Sequence, residues 1–364
     1  MDKGYLTTAT RPGRFLSLTA LTLAIVFSAG CGSIGPRTMD KDQLSYGDSI
    51  SNNWKNQMLS NIVKLRYVDM PVFVDVGSIV AGYSMETQVS GRLGFSDSFT
   101  GTDSQGLGAS GKFTDRPTIT YMPKTGDDYL RSLLTPVEPK NLLALIQAGY
   151  NAEMLFTWSV EAINGVQNYS GSSKSRMEAD PGFYELAGLM QELQALGTVA
   201  WEFDTDPDTG HDVLLVMRKD GRSQEIKNKR ARVAELLGLD SSINKFRVVY
   251  APTRLSSDTL AIQTRSIVQT LTAMARFIDV PAELSDQAAP GFKVSSNHQR
   301  PFRVLSAEER PDDYFAAVKY RDYWYWIENT DLVSKRVFTL MLFLTTLTDN
   351  AGEGMGPVLT IPTG

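Results

Sequence analysis

Residues 315–327 read Phe-Ala-Ala-Val-Lys-Tyr-Arg-Asp-Tyr-Trp-Tyr-Trp-Ile. Two runs of strand-forming residues, 315–320 and 323–327, flank the dipeptide Arg321-Asp322, so the pattern predicts a tight β-hairpin. The mostly apolar run 331–347 follows it and predicts a helix that packs nearby. Hairpins and helices that follow each other without a regular strand-helix-strand order indicate an α+β fold.

Similar patterns along the rest of the chain predict further helices and hairpins. Helices are predicted where apolar residues recur every three or four positions, in segments 50–65, 142–148, 152–163, 183–196, 225–237 and 266–278. Strands are predicted at 198–203 and 212–217, which form a hairpin, and at 246–250, 260–264 and 357–362. We expect antiparallel hairpins with packed helices in two lobes, residues 45–197 and 198–364.

The longest alternating pattern lies between residues 79 and 113. Apolar or small residues alternate with polar ones over 79–95 and again over 107–113, and the polar stretch 96–106 separates the two runs. The pattern predicts a long amphipathic hairpin with a polar tip. Each arm is long enough to cross a membrane as a tilted strand, which needs about 9 to 11 residues. A hairpin with one face on a soluble core alternates equally well.

The composition is that of an ordinary globular protein. Apolar residues make up 42% of the 364 positions and charged residues 21%, with a formal net charge of −5. These values separate the chain from disordered and collagen-like sequences. No basic patch favours nucleic acid as a partner, because the densest basic cluster, 227–232, lies on a predicted helix beside glutamates. We expect no cofactor.

The first 30 residues have the anatomy of a cleaved export signal. Basic residues within the first 14 positions precede the apolar run 15–27, and small residues follow it. The run is shorter than the roughly 20 residues of a membrane-spanning helix, which disfavours an uncleaved anchor. Cys31 is the only cysteine in the chain. A single unpaired thiol in an exported protein is anomalous unless something uses it.

The residues Ala29-Gly30-Cys31 resemble the lipobox of bacterial lipoproteins, in which a small residue precedes a cysteine that receives diacylglycerol. The resemblance implies that Cys31 becomes the first residue and carries lipid, which attaches the protein to a membrane. It further implies the outer membrane, facing the periplasm, because Gly32 stands where inner-membrane lipoproteins tend to carry Asp. Residues 31–44 would then be a polar tether, in which Gly35-Pro36 disfavours regular structure. Cleavage without lipid attachment fits the same small residues.

Carboxylates at alternate positions raise the question of a calcium loop. The candidate ligands are Asp204, Asp206, Asp208 and Asp212. Hard cations bind hard oxygen ligands, but here Gly210 comes one position late for an EF-hand and Leu215 replaces its bidentate glutamate. The pattern therefore favours an acidic hairpin turn over a metal site.

Other motifs for chemistry lack the context that they need. Residues 106–111 spell the dinucleotide fingerprint, but a β-like stretch and Pro117 follow where a helix is required. The chain has two histidines, His211 and His298, and no H-E-x-x-H, C-x-x-C or G-x-S-x-G motif. We therefore predict that the protein is not an enzyme. A hydrolase of envelope polymers stays an alternative, because a catalytic pair of carboxylates leaves no readable spacing.

The densest aromatic cluster lies in the second arm of the 315–327 hairpin. Alternation places Trp324 and Trp326 on one face of the strand and Tyr323 and Tyr325 on the other. An open face of flat rings would bind sugars or a partner protein, whereas helices on both sides would bury the rings. The sequence favours burial and leaves a binding surface as the alternative.

The expected function is that of a membrane-anchored envelope lipoprotein, a non-enzymatic structural or interaction module. Its expected partners are the membrane, through the N-terminal lipid, and an envelope protein or further copies of the chain. The first alternative is a subunit of an oligomeric outer-membrane channel or secretion complex that contributes the 79–113 hairpin. This layout is similar to outer-membrane lipoproteins that oligomerise and each donate hairpins to a shared barrel.

Overall fold

The computed structural model describes residues 35–80, 83–94, 104–115, 118–169, 179–203, 213–218, 223–291 and 301–348. Its helices are α1 (Gly35–Arg66), α2 (Asp127–Leu134), α3 (Pro139–Gln147), α4 (Ala152–Ser159), α5 (Pro181–Ala195), α6 (Gln224–Leu237), α7 (Ile267–Ala275) and α8 (Leu332–Thr348), with a 3-10 helix at Ala282–Gln287. Its strands are β1 (Val74–Val80), β2 (Tyr83–Gly94), β3 (Ser104–Asp115), β4 (Thr118–Pro123), β5 (Val160–Ile163), β6 (Val166–Gln167), β7 (Val199–Phe203), β8 (Val213–Met217), β9 (Lys245–Val249), β10 (Thr259–Thr264), β11 (Leu305–Ala307), β12 (Ala316–Tyr320) and β13 (Tyr323–Ile327). Packed helices and mostly antiparallel sheets confirm the predicted α+β fold. The predicted strand 357–362 lies outside the described residues.

The chain divides into two compact units. One consists of Met1–Ser51 and Ala81–Thr118, and the other consists of Asn52–Val80 and Ile119–Gly364. A contiguous hydrophobic core of buried residues extends from Met58 to Leu344 within the second unit.

Helix α1 begins at Gly35, so the expectation of irregular backbone between Gly35 and residue 44 is wrong. Pro36 lies in the first turn, where a helix needs no backbone N–H and the fixed φ of proline already fits. Near its C-terminal end the helix buries an apolar stripe, which consists of Met58, Leu59, Ile62 and Val63. This burial is the reason that the predicted 50–65 segment is helical.

The second unit contains a six-stranded sheet in the order β6-β5-β10-β9-β8-β7. Neighbouring strands are antiparallel except β9 and β10, which are parallel. Leu260, Ala261 and Ile262 of β10 are buried at successive positions, as expected of a strand that is covered on both faces. The predicted lobe boundary at residue 198 falls between α5 and β7, and strands from both sides of that boundary share this sheet.

Helix α4 is shorter than predicted, because the segment 152–163 is helical only as far as Ser159 and continues as β5. Side chains from elsewhere bind the carbonyl groups at this transition. The amide of Asn168 donates to the carbonyls of Thr157 (2.8 Å) and Val160 (2.7 Å). The buried guanidinium of Arg265 donates to the carbonyl of Trp158 (3.2 Å). These bonds satisfy backbone groups that would otherwise favour a longer helix.

Strands β11, β13 and β12 form an antiparallel sheet with β13 in the middle. The predicted tight hairpin is confirmed, and Arg321 (φ 48°) and Asp322 (φ 69°) both adopt the left-handed conformation of a type I′ turn. The predicted helix after it is confirmed as α8, where Phe338 packs edge-on against Phe315 with ring centroids 5.8 Å apart.

The predicted long hairpin is confirmed as a two-stranded ribbon, which consists of β2 and β3. Twelve residue pairs join the strands in one uninterrupted register, from Tyr83 opposite Asp115 to Gly94 opposite Ser104. Among the described strands, β2 and β3 pair only with each other, and β1 pairs with β4 in a separate two-stranded sheet.

Candidate functional site

The inner face of the aromatic sheet is built around Tyr325. Its side chain is fully buried, and its hydroxyl group shares a hydrogen bond of 2.5 Å with the hydroxyl group of Tyr67. Tyr67 follows directly after α1, and its ring lies edge-on to that of Tyr325 at 6.2 Å. Burial raises the pKa of both tyrosines, so both hydroxyl groups stay neutral and one can donate its proton to the oxygen of the other. The hydrogen bond between the two tyrosines joins the hairpin to the end of α1.

Asp69 binds the turn of the same hairpin. Its carboxylate accepts hydrogen bonds from the hydroxyl of Tyr320 and from Nη2 of Arg321, the latter at 3.0 Å. The guanidinium of Arg321 also lies 4.7 Å from the ring centroid of Tyr67, a cation–π distance. The bonds from Tyr320 and then Arg321 hold the pKa of Asp69 below its usual value. Two side chains, Asp69 and Tyr67, thereby contact the guanidinium of Arg321.

The outer face of the sheet carries Trp324 and Trp326, which are both half-buried. The guanidinium of Arg310 lies 5.3 Å from the ring centroid of Trp324. The cross-strand neighbours of Trp326 are Leu305 and Ala317. Of the two interpretations of the aromatic cluster, burial applies to Tyr325, which is a core residue. A binding surface stays possible only for the two tryptophans, which are partly accessible. Tyr323 is half-buried and donates to Glu283 at 3.2 Å.

A buried guanidinium lies in the same region. Arg66, the last residue of α1, is 7% exposed, and its Nε and Nη1 atoms have no hydrogen-bond partner among the described residues. Burial lowers the pKa of this side chain, and the positive charge of Arg276 lowers it further. A Cβ atom on Gly291 would lie 2.6 Å from Nη2 of Arg66, so glycine is the residue that leaves room for the guanidinium.

The ribbon presents one polar face. Glu86, Gln88 and Ser90 are exposed at alternate positions of β2, and Ser110 and Lys112 are exposed on β3. The register sets Glu86 opposite Lys112 and Gln88 opposite Ser110. Exposure is thus confirmed at these five predicted polar positions, whereas Thr114 is half-buried and Gly111, which alternation places on the other face, is exposed as well.

The remaining positions predicted from the sequence lie outside the described residues. Cys31 is one of them, and the others are Asp204, Asp206, Asp208 and Asp212. Within the ranges that the structure describes, no cluster of three or more His, Cys, Asp or Glu side chains could hold a metal ion. Nor does any helix in those ranges combine the length and the hydropathy needed to cross a membrane.

The residues that sequence reasoning missed are Tyr67, Asp69 and Arg66. They lie together at the end of α1, about 250 positions before the hairpin that Tyr67 and Asp69 contact, as the separations of 258 and 251 positions show. A charged residue in the turn of a hairpin was the available signal, because Arg321 needs an acidic partner to be held there.

Comparison with known proteins found no matching family model, no matching curated protein and no matching solved structure. The resemblance to lipoproteins therefore depends on residues 29–31 and on the export signal predicted before them.

Proposed function

We propose that this protein is a lipoprotein of the bacterial envelope, held at the outer membrane by lipid on Cys31 and facing the periplasm. It acts without catalysis, as a structural or interaction module. The export signal and the position of the single cysteine support the anchor. The β2–β3 ribbon supports the interaction role.

The two-stranded ribbon, with which no other described strand pairs, is the observation that carries the interaction role. A hairpin of two strands is at best marginally stable in water, and independent stability needs further strands or a helix. Here twelve residue pairs extend without a third strand among the described residues. Strand edges of this length are templates for pairing with another chain. The ribbon is therefore the element through which we expect the protein to bind its partner.

Substitution of Cys31→Ser tests the anchor. In a bacterial host, the wild-type chain should incorporate labelled palmitate and sediment with outer membranes on a density gradient. The variant should incorporate none and appear in the soluble fraction, because the acyl chains supply the attachment. Ser33→Ala is the matched control and should behave as wild type. A wild-type chain without label would overturn the lipoprotein proposal.

A second candidate function is that of a channel or secretion subunit that contributes the ribbon to an oligomeric barrel. The length of the strands favours it. Twelve residues at about 3.4 Å each extend about 40 Å, and a tilt of about 45° reduces this to about 28 Å along the membrane normal. The hydrocarbon core of a bilayer is about 30 Å thick. One polar face would then line an aqueous lumen.

Protease protection separates the two candidates. If the ribbon enters a bilayer, the purified chain in liposomes should yield a protected fragment that spans residues 83–115, and detergent should abolish the protection. Size-exclusion chromatography with light scattering in detergent should give a multiple of the mass of the mature chain, which begins at Cys31. Digestion of the ribbon in intact liposomes would contradict the channel and leave the interaction role.

A further inference from the structure

We propose that the ribbon pairs with a second copy of this chain, with the outer edge of β3 on one copy joined to the outer edge of β2 on the next. The proposal deepens the proposed function and rests on the ribbon as its interacting element. It specifies the partner, the two edges that meet and their direction.

No described strand pairs with the outer edge of β2 or of β3. In an antiparallel pair each strand directs about half of its backbone N–H and C=O groups away from its neighbour. For strands of twelve residues that gives about six residues per strand whose backbone groups point away from the partner strand. Water can satisfy these groups, but a membrane or a packed interface cannot. Another strand on each edge satisfies all of them.

Antiparallel geometry selects which edges meet. Because β2 and β3 run in opposite directions, a β3 edge placed beside the β2 edge of the next copy continues the alternation of directions. Each copy then offers one edge of each kind, and a ring of copies leaves no edge free. A contact between two β2 edges would instead close on itself and leave both β3 edges unpaired.

Of the devices that keep strand edges apart, the ribbon carries charged side chains, Lys112 among them, but no proline, no bulge and no short strand. Soluble proteins protect their edges with proline, with bulges or with very short strands. Neither β2 nor β3 contains proline, and their register runs through twelve pairs without a bulge. A strand edge without proline or a bulge can pair with a further strand along its whole length.

The charges on the exposed face favour the same arrangement. Glu86 of β2 and Lys112 of β3 have opposite signs and lie directly opposite each other. Pairing of β3 with the next β2 in a similar register brings a second lysine close to each glutamate, which is favourable. Pairing of β2 with β2 around this position brings two glutamates together, which is unfavourable.

Disulfide scanning tests the pairing in the full-length chain, whose only natural cysteine is Cys31. One copy carries Ser90→Cys in β2. A second, co-expressed copy carries a cysteine at one position of β3 that shares a face with Ser90 by alternation, in turn Gly106→Cys, Gly108→Cys, Ser110→Cys or Lys112→Cys; within the ribbon, Gly108 is the residue paired with Ser90. Mild oxidation followed by non-reducing electrophoresis reports the covalent dimers.

We expect a covalent dimer with one or two adjacent members of the β3 series and at least tenfold less with the others. The Gly111→Cys variant is the matched control, because residue 111 pairs with Thr87 and so belongs to the opposite face. It should not link to Ser90→Cys. Expressed alone, Ser90→Cys should not link to itself, since equivalent strands of adjacent copies are about 9.5 Å apart and a disulfide bridges Cα atoms at up to about 7 Å.

Any one of the following results would overturn the proposal: self-linking of Ser90→Cys, a strong link to Gly111→Cys, or no link at any of the four β3 positions. A link from Ser90→Cys to a different envelope protein instead of to a second copy would also overturn it. The outcome is independent of the anchor, because palmitate labelling of the same cells reports lipid on Cys31 whether or not the ribbons pair.

Discussion

The hairpin β12–β13 and the ribbon β2–β3 have the same kind of alternating sequence and different surroundings. In the first, β11 pairs with the second edge of β13, and Tyr325 lies fully buried beneath the sheet. In the second, no other described strand pairs with either edge. Alternation therefore reports that the two faces of a strand differ, but it does not report what covers the apolar face or the edges. One hairpin is completed within its own chain, and we propose that the other is completed by a copy.

The largest expected effect distinguishes the two hairpins by stability. Tyr325→Ala should lower the free energy of unfolding by about 3 to 5 kcal/mol, because it removes a fully buried aromatic ring. Gln88→Ala, on the exposed face of the ribbon, should change it by less than about 0.5 kcal/mol. Urea unfolding followed by tryptophan fluorescence measures both. If both variants lose the same free energy of unfolding, the two hairpins do not differ in burial as described.

A second prediction concerns the hydroxyl groups that join the aromatic hairpin to α1. Tyr67→Phe and Tyr325→Phe should each cost about 1 to 2 kcal/mol, because each leaves the other buried hydroxyl without its partner. The double variant should cost less than the sum of the two single variants. A double-mutant cycle of unfolding free energies checks this. Strict additivity would show that the two hydroxyl groups do not interact.

A third prediction concerns the turn of the same hairpin. Asp322→Gly should raise the free energy of unfolding by about 0.5 kcal/mol, because glycine adopts the φ of 69° at this position without the strain of a Cβ atom. Lys319→Ala is the control for the lost ion pair, whose atoms are 4.0 Å apart and exposed, and it should have almost no effect. If Asp322→Gly lowers the free energy of unfolding while Lys319→Ala leaves it unchanged, the backbone of Asp322 is not strained.

The smallest expected effect is a pH dependence. The pKa of Asp69 in the folded protein lies below its ordinary value of 3.8, so the charged carboxylate favours the folded state above about pH 4. This contribution is lost as the pH falls through the lowered pKa. Between pH 5 and pH 3 the thermal midpoint of the wild type should therefore fall more than that of Asp69→Asn. Parallel curves for the two proteins would exclude a role for this carboxylate.

Local patterns predicted most elements of the fold. The aromatic hairpin, α6 and the β7–β8 hairpin lie within about one residue of their predicted positions, since each is defined by alternation or periodicity and by the residues at its ends. The end of α4 was missed, because Asn168 and Arg265 bind its carbonyl groups from distant positions. Periodicity in a short window contains no information about such bonds.

The surroundings of the candidate site were less predictable. The aromatic cluster was visible in the sequence, but the division between a buried Tyr325 and half-buried tryptophans was not, because Tyr67, which binds the hydroxyl of Tyr325, comes from a distant segment. The partners Tyr67 and Asp69 come from a segment with no motif of its own. The polar face of the ribbon was predicted correctly because a period of two is sufficient to define it.

The early start of α1 has a mechanical consequence for the proposed anchor. Only Gly32, Ser33 and Ile34 stand between Cys31 and the first residue of the helix. Four fully extended residues reach at most about 14 Å, whereas the polar tether expected up to residue 44 would have reached several times farther. An acylated Cys31 would therefore keep the beginning of this helix within about 14 Å of the headgroup layer. The linker between lipid and helix is short, not long and flexible.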